Sequence, residues 1–346
     1  MPKVTYAKAG VDVDKVRVIQ RSLASQLGAT FRFRRGRPGA PLRPIGLYAG
    51  LVDLGNGDAL AMHTDGVGTK VLVAQEMKKF DTVGIDCVAM TVNDLLCVGS
   101  EPIALLDYIA LEREDDRLVS ELARGLAEGA RLSSVAIVGG ETAIARDVIK
   151  GKDGMGFDMA SMGVGLVKTS EIVDGSSIVE GDTLVGIASS GLHSNGYTLA
   201  RKVLRGTALS KYDESLGKTL GESLLEPTSI YVSPVLAALR RCEVHGIAHI
   251  TGGSFSKLTR LLGGRRLAFD LALPAPPPIF RLIMERGVSK REMYKTFNMG
   301  IGMILAVPQS EAGKVVRVIR SSGFHSHDLG AVRRGEGVRV NGMRTA

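Results

Sequence analysis

Apolar and mixed stretches alternate along the whole chain, and their spacing predicts alternating strands and helices. Residues 58–63 form a short apolar run, typical of a strand, that enters a glycine-rich turn at 64–70. Residues 82–98 carry apolar side chains at helical spacing, and Gly99 follows as a stop signal. The other elements predicted in the first half are a strand at 103–111, a helix at 115–132, a strand at 135–138 entering a Gly139-Gly140 turn, and a strand at 157–167.

A connector near 168–175 separates a second half with the same alternation. Its predicted elements are a strand at 183–188, helices at 196–204 and 227–241, a strand at 244–250, a proline-rich connector at 274–278, a further helix, a strand at 303–307, and a helix at 309–321 before a short basic tail. This pattern predicts an α/β (α+β) fold with two domains, 1–168 and 169–346. The length of 346 residues also favours two domains.

The composition is that of an ordinary globular protein, with 45% hydrophobic and 23% charged residues. Gly, Pro or charge interrupts every apolar run, so we expect no membrane-spanning segment. The start, Met1 to Tyr6, lacks the apolar core of a signal peptide. Three cysteines without metal-ligand spacing favour a reducing compartment, and we expect a cytoplasmic protein.

The net charge of +8 raises the question of nucleic-acid binding, but the basic residues are mostly scattered. One dense run, from Arg32 to Arg43, is interrupted by glycines and prolines, and its only aromatic neighbours are Phe31, just before it, and Phe33, within it. This composition suits a mobile loop that closes over phosphorylated ligands, and it equally suits solvated surface. We therefore expect no nucleic-acid partner.

The run from Thr64 to Lys70 places a carboxylate between glycines at the end of a predicted strand. Its glycines leave room for a ligand beside Asp65, while Thr69 and Lys70 offer a hydroxyl and an ammonium to phosphate oxygens. By itself the run favours a hairpin turn, because Asp-Gly is a common turn dipeptide. It also lacks the spacing of a Walker loop.

Asn93 and Asp94 lie within an otherwise apolar helical segment, where an unpaired carboxylate would be costly to bury. A metal ion or a cationic partner for Asp94 resolves that cost. Asp86 precedes Asn93 by seven residues and shares its helix face, whereas Asp94 lies about 100° further round. We interpret Asp86 as structural.

Two further polar clusters follow apolar strands. Glu141, after Gly139-Gly140, could complete a Mg²⁺ shell or cap a helix. His193 lies in a Ser/Gly/Asn turn before a helix, where it could donate to a phosphate or move a proton. His249 is interpreted as a core histidine. The remaining histidines, His63, His245, His325 and His327, show no site pattern, and no Ser/His/Asp or Cys/His pairing favours covalent catalysis.

These motifs closely resemble the phosphoribosylformylglycinamidine cyclo-ligase (aminoimidazole ribonucleotide synthetase) family, nearly from end to end. The strings that carry the resemblance are Tyr6–Asp12, Thr64–Lys70, Gly84–Asp86, Val92–Asp94, Glu101-Pro102, Leu106–Tyr108, Gly139–Thr142, Ser189–Tyr197, Ala248–Phe255 and Met293–Asn298. The resemblance implies a homodimer whose N-terminal domains pair their sheets into a barrel. It also implies ATP with Mg²⁺, a monovalent cation as a further candidate, and formylglycinamidine ribonucleotide as the small-molecule substrate.

The resemblance also implies roles for individual residues. Asp65, Asp94 and Glu141 would hold Mg²⁺, and Lys70 would lie near the nucleotide phosphates. His193 would act in catalysis with Asp94 and Lys70. Nucleotide or substrate contacts are implied for Asp65, Gly66, Gly68, Thr69, Asn93, Gly139, Gly140, Ser190, Ser194 and Asn195.

Two features depart from the family pattern. A lysine commonly accompanies the glycine-dense loop before the first core, but no lysine lies between Lys15 and Lys70 here. An arginine of the 32–43 run would then supply the cation. The third glycine of the usual Thr-Gly-Gly-Gly turn is Ser254 in this chain.

Two alternatives remain at this stage. One is another ATP-using enzyme of the same superfamily, such as thiamine monophosphate kinase or a hydrogenase maturation factor. The other is a non-catalytic, basic nucleotide- or RNA-binding relative, which the charge and the altered loop at 32–50 would support.

Overall fold

The structure, a computed structural model, describes residues 5–345 apart from the Asp14 side chain. The expectation about a missing signal peptide at Met1 to Tyr6 lies mostly outside the described residues. Two sheets organise the described chain, one of five strands and one of seven, and a small two-stranded ribbon lies in the second half of the sequence. The first sheet ends at Lys168 and the second begins at Thr183.

The first half contains four helices and five strands in the described chain. They are α1 (Val13–Gly28), β1 (Gly50–Asp53), β2 (Asp58–Gly66), α2 (Val71–Met77), α3 (Asp81–Leu96), β3 (Glu101–Leu111), α4 (Asp116–Ser133), β4 (Ala136–Ile144) and β5 (Phe157–Lys168). The strand order is β1-β2-β5-β3-β4, and β3 and β4 pair in parallel while the other pairs are antiparallel.

Helix α3 lies at the centre of the molecule. It packs on one face of the five-stranded sheet, and it also contacts α4 and, in the second half, α7 (Val232–Leu239). Glycines permit the close approach of α3 and α4, because a Cβ at Gly125 would clash with the Asp81 carbonyl oxygen. Nearly all of α3 is therefore buried, polar residues included.

The second half continues the chain with six helices and nine strands among the described residues. They are β6 (Thr183–Ala188), α5 (Tyr197–Val203), β7 (Tyr212–Asp213), β8 (Lys218–Thr219), α6 (Leu220–Leu225), α7 as given above, β9 (Gly246–His249), β10 (Leu267–Leu271), α8 (Pro278–Glu285), α9 (Lys290–Thr296), β11 (Ile301–Val307), α10 (Ala312–Ser321), β12 (Ser326–Arg334), β13 (Gly337–Val340) and β14 (Met343–Arg344). The large sheet has the order β14-β13-β10-β12-β6-β11-β9.

The predicted α/β (α+β) fold class is confirmed, with several elements corrected. The predicted Gly139-Gly140 turn is part of strand β4, where the glycine at 140 lets the Asp107 side chain lie against its backbone. The predicted helix at 227–241 is shorter, since α7 occupies Val232–Leu239. Strands β1 and β10 were not predicted.

The predicted basic tail is wrong, because β12, β13 and β14 form part of the large sheet. In β12 the buried positions are Ser326, Leu329 and Val332, three residues apart instead of two. The register of β12 against β6 shifts between Asp328 and Ala331, where Gly330 has a positive φ of 124°. This bulge removes the alternation that identifies a strand in sequence.

No helix within residues 5–345 is long and apolar enough to cross a membrane.

Candidate active site

Three side chains that can bind a cation meet between β2 and α3. His63 and Asp65 are two residues apart on β2 and face the same side of the sheet, where α3 presents Asp94. His63 Nε2 lies 3.3 Å from Asp94 Oδ2 and 4.0 Å from Asp65 Oδ2. One ligand atom from each residue lies within 4.8 Å of the others. We call His63, Asp65 and Asp94 the carboxylate group.

The second half of the chain fixes Asp94 through His249 of β9. His249 Nδ1 donates to Asp94 Oδ1 at 2.7 Å, and both side chains are almost fully buried. Burial by itself raises the pKa of Asp94, but the hydrogen bond from His249 and the charge of His63 outweigh it and lower the pKa to about 2. Asp94 is therefore ionised at neutral pH.

The pKa of His63 is also shifted by its surroundings. Burial lowers its pKa, but the nearby carboxylates of Asp65 and Asp94 outweigh burial, so the pKa of His63 is raised. Two carboxylates that share a partly buried position need positive charge nearby. Oxygen ligands of this kind suit Mg²⁺, so Asp65 and Asp94 fit the metal that the motifs imply.

Glu141 lies elsewhere in the chain, which corrects the expected three-acid set. Asp65 pairs with Ser161, Ser161 with Asp107, and Asp107 with Gly140, so Glu141 is three strands away from Asp65. At the usual strand spacing this is about 14 Å. Glu141 also faces the opposite side of the sheet and is exposed. Within one chain His63, which showed no site pattern in the sequence, completes the group.

Lys70 was expected near the nucleotide phosphates, but in the structure its ammonium is engaged in a buried ion pair. Its side chain is fully buried, Nζ lies 2.6 Å from Asp86 Oδ2, and Nζ donates to the Glu226 carbonyl at 2.7 Å. Burial lowers the pKa of Lys70, and the charge of Asp86 opposes that shift. Asp86 Oδ1 in turn accepts from the Thr228 backbone N–H at 2.7 Å and from its hydroxyl at 2.5 Å. These residues join the two halves of the chain.

Asn93 also joins the two halves. Its Nδ2 donates to the Ser229 carbonyl at 2.8 Å, and its Oδ1 accepts from the Tyr231 N–H at 2.9 Å. The predicted common face of Asp86 and Asn93 is therefore the face of α3 that holds the segment 226–231. The side-chain amide of Asn93 therefore hydrogen-bonds to backbone groups of that segment.

His193 is buried and not solvated. Its backbone has a positive φ of 61°, and its Nε2 accepts from the N–H groups of Ser190 at 3.3 Å and Ser229 at 3.5 Å. Burial and the neighbouring His249 hold the pKa of His193 well below its usual value. The ring is thus neutral at physiological pH, with the proton assigned to Nδ1 from these hydrogen bonds. The buried His193 ring therefore supports the turn at residues 189–196 from its inner side.

The polar residues around His193 divide into exposed and buried members. Ser190 is exposed, and its hydroxyl donates to the Pro227 carbonyl at 2.5 Å. The Ser194 hydroxyl is buried against the Thr228 hydroxyl at 3.1 Å. Asn195 Nδ2 lies 4.0 Å from Met90 Sδ. The turn is therefore held on the segment 226–231, with Ser190 on its outer side.

The turn after β2 remains open to solvent at its tip. Gly68 is exposed and has a positive φ of 66°, and the Thr69 hydroxyl lies 3.2 Å from that of Thr198. Gly66 N–H donates to Asp65 Oδ1 at 2.8 Å, which orients the carboxylate. This turn bends into a short 3₁₀ helix, Gly68–Lys70, and it is no hairpin.

Comparison with known protein families agrees with the architecture. The model of the N-terminal domain of AIR synthase related proteins matches residues 46–167, and the C-terminal model of the same group matches residues 179–342. The thiamine-monophosphate kinase of Stenotrophomonas maltophilia has a similar fold, with a TM-score of 0.66 and 16% identity over 93% of this chain and 96% of that one. The chain therefore carries both domains of the AIR synthase related class.

Curated relatives are much more similar in sequence. The phosphoribosylformylglycinamidine cyclo-ligase of Thermococcus kodakarensis is 48% identical over 97% of this chain and 98% of its own length. That of Methanosarcina acetivorans is 46% identical over 94% of this chain and 98% of its own length. The chain belongs to the phosphoribosylformylglycinamidine cyclo-ligase family, an enzyme family of purine biosynthesis, as the motifs predicted.

We predict that the stabilising effect of Asp94 is lost in acid. Its folded-state pKa of about 2 lies below the ordinary aspartate value of 3.8, so the ionised carboxylate stabilises the folded chain above pH 4 and loses that effect as pH falls towards 2. The stability difference between wild type and Asp94→Asn should shrink by about 1 kcal/mol between pH 5 and pH 3. Urea unfolding at both pH values measures it.

The control is Asp270→Asn, which removes an exposed carboxylate of β10. A stability difference for Asp94→Asn that stays constant over this pH range would show that Asp94 is not held ionised by His249 and His63.

Proposed function

We propose that this chain closes the imidazole ring of aminoimidazole ribonucleotide from formylglycinamidine ribonucleotide, converting ATP to ADP and phosphate. The observation that carries the proposal is the carboxylate group, with Asp94 held ionised by His249, in a chain of the cyclo-ligase family. We further propose Mg²⁺ as the metal, with a monovalent cation as a further candidate, and the cytoplasm as the compartment.

The chemistry has two steps. The formyl oxygen attacks the γ-phosphorus of ATP, and ADP leaves with the electrons of the broken P–O bond. The amidine nitrogen then attacks the formyl carbon, the C–O bond breaks with release of phosphate, and the nitrogen loses a proton. Positioning the two ends of one substrate and neutralising phosphoryl charge are the main demands on the protein.

Different residues of the chain meet these two demands. Asp65 and Asp94 would hold Mg²⁺, which supplies positive charge to the phosphates when bound. His249 keeps Asp94 ionised and oriented, and His63 lies beside both carboxylates, which raise its pKa. We propose that the exposed turn around Ser190 faces the substrate, with neutral His193 fixing its shape from below.

The direct test is to incubate the purified chain with ATP, Mg²⁺ and formylglycinamidine ribonucleotide and to detect the aminoimidazole product. We expect product formation that requires all three components. Asp94→Asn should lower kcat by roughly 10²–10³-fold, because a charged metal ligand is replaced by a neutral amide. Asp270→Asn should retain the wild-type rate. Phosphate release without the ribonucleotide, or an unchanged rate in Asp94→Asn, would contradict the proposal.

We also propose that residues 1–168 bind ATP and Mg²⁺ and dimerise, while residues 169–346 form the second α/β domain. The five-stranded sheet supports dimerisation, because its face opposite α3 is apolar and uncovered. Leu106 and Met162 are cross-strand partners on that face, 43% and 38% exposed, and Tyr108 is 47% exposed beside them. Contiguous apolar surface of this kind typically marks an interface. A second copy would then complete the barrel.

A charge on this face should separate the copies. We expect the wild-type chain to sediment as a dimer, and Leu106→Lys to shift it to a monomer, because a buried lysine would lack a partner. Val148→Lys alters an apolar side chain that is 82% exposed outside the sheet and should leave the dimer intact. A monomeric wild type, or a dimeric Leu106→Lys variant, would exclude this interface.

A further inference from the structure

A short helix of the second half carries two cations towards the carboxylate group. After His249 of β9 the chain turns through residues 251–253 into a 3₁₀ helix, Ser254–Leu261. Residues three apart lie directly above one another on a 3₁₀ helix, so Lys257 and Arg260 share a side. The helix thus starts five residues after the histidine that fixes Asp94.

Both cations lie over the same aromatic ring. Lys257 Nζ is 5.8 Å from the centre of the Tyr48 ring, and Arg260 Cζ is 5.1 Å from it. Tyr48 comes from the loop before β1 and is only 2% exposed. Its hydroxyl is buried without a hydrogen-bond partner among the described residues. An unpaired buried hydroxyl is costly, and a bound ligand that hydrogen-bonds to it would offset that cost.

The charge of Lys257 interacts with two members of the carboxylate group, Asp94 and Asp65. Burial and the charge of Arg260 lower its pKa, while the charges of Asp94 and Asp65 raise it, so its ammonium lies in the field of both carboxylates. Within the described chain this ammonium makes no hydrogen bond and no ion pair. A half-buried cation without a close partner is unusual and fits the binding of an anionic ligand.

The other cations expected at phosphate are engaged elsewhere or lie at the surface. Lys70 is buried in its ion pair with Asp86. In the arginine-rich run, Arg43 Nε pairs with Asp174 at 2.7 Å, and Arg34 donates to the Pro38 carbonyl. The loop before β1 places Tyr48, and no lysine, against Lys257 and Arg260.

We propose that Lys257 binds the terminal phosphates of the nucleoside triphosphate at the carboxylate group, and that Tyr48 and Arg260 position it. The inference rests on the proposed function only in assuming a triphosphate ligand. By this proposal, the second half of the chain supplies the cation that the loop before β1 lacks. Lys257 is then a binding residue that contacts the phosphoryl group, whereas Tyr48 and Arg260 act through it.

Calorimetry with Mg²⁺ tests this assignment, using a nonhydrolysable ATP analogue and AMP as the two probes. Lys257→Gln should weaken binding of the triphosphate roughly 10- to 100-fold, because a charge-assisted contact to phosphate is lost. Its affinity for AMP should stay within about twofold, since AMP lacks the terminal phosphates. Lys257→Arg should recover part of the triphosphate affinity.

The matched control is Lys290→Gln, because Lys290 also lies over a tyrosine ring, with Nζ 6.0 Å from the centre of Tyr294, and is exposed at the start of α9. This control should bind both probes like wild type. Unchanged triphosphate affinity in Lys257→Gln would mean that Lys257 only balances the carboxylate charge, and it would overturn the proposal. Equal losses for triphosphate and AMP would overturn it as well.

The same measurements separate this inference from the proposed function. A wild type whose triphosphate binding depends on Lys257, but which forms no aminoimidazole product, would refute the ring-closing activity and leave the role of Lys257 standing. A wild type that closes the ring, with Lys257→Gln binding triphosphate normally, would refute the role of Lys257 alone.

Discussion

The buried ion pair between Lys70 and Asp86 is the constraint on which the site depends. Taking both charges out of water costs several kcal/mol per ion, and only close partners offset that cost. Here the partners come from the second half of the chain, because Thr228 donates twice to Asp86 and the Glu226 carbonyl accepts from Lys70. The pair is satisfied only when the two halves meet in this arrangement.

That arrangement determines where the chemistry can occur. One helix, α3, presents Asp86 and Asn93 to the segment 226–231 and, further round, Asp94 to His249. The side chains that fix the two halves therefore also fix the distance between Asp94 and the second half. The candidate active site lies at this junction, with carboxylates from the first half, His249 from the second, and Lys257 of the second half as the cation we propose for the phosphates.

The sequence predicted the regular parts of this structure well. Strands β2, β3 and β5 and helices α3 and α4 follow from apolar spacing. The cost of burying Asp94 predicted a metal ion or a cationic partner, and in the structure His249 and His63 lie beside it. His63 and His249 were missed as site residues because each lies singly in an apolar strand, and only tertiary contacts bring them to Asp94. The first part of β4 was predicted as a strand, but its continuation from Gly139 was mistaken for a turn because paired glycines favour turns, whereas here Gly140 permits close packing against Asp107.

The most direct measurement is a crystal structure of the chain with Mn²⁺ and a nonhydrolysable ATP analogue, in which anomalous scattering locates the metal. Our account predicts the metal bound by Asp65 and Asp94 and bridged to the phosphates, with the Lys257 ammonium within hydrogen-bond distance of the terminal phosphate. A nucleotide bound elsewhere in the chain, with Asp65 and Asp94 free of metal, would contradict it.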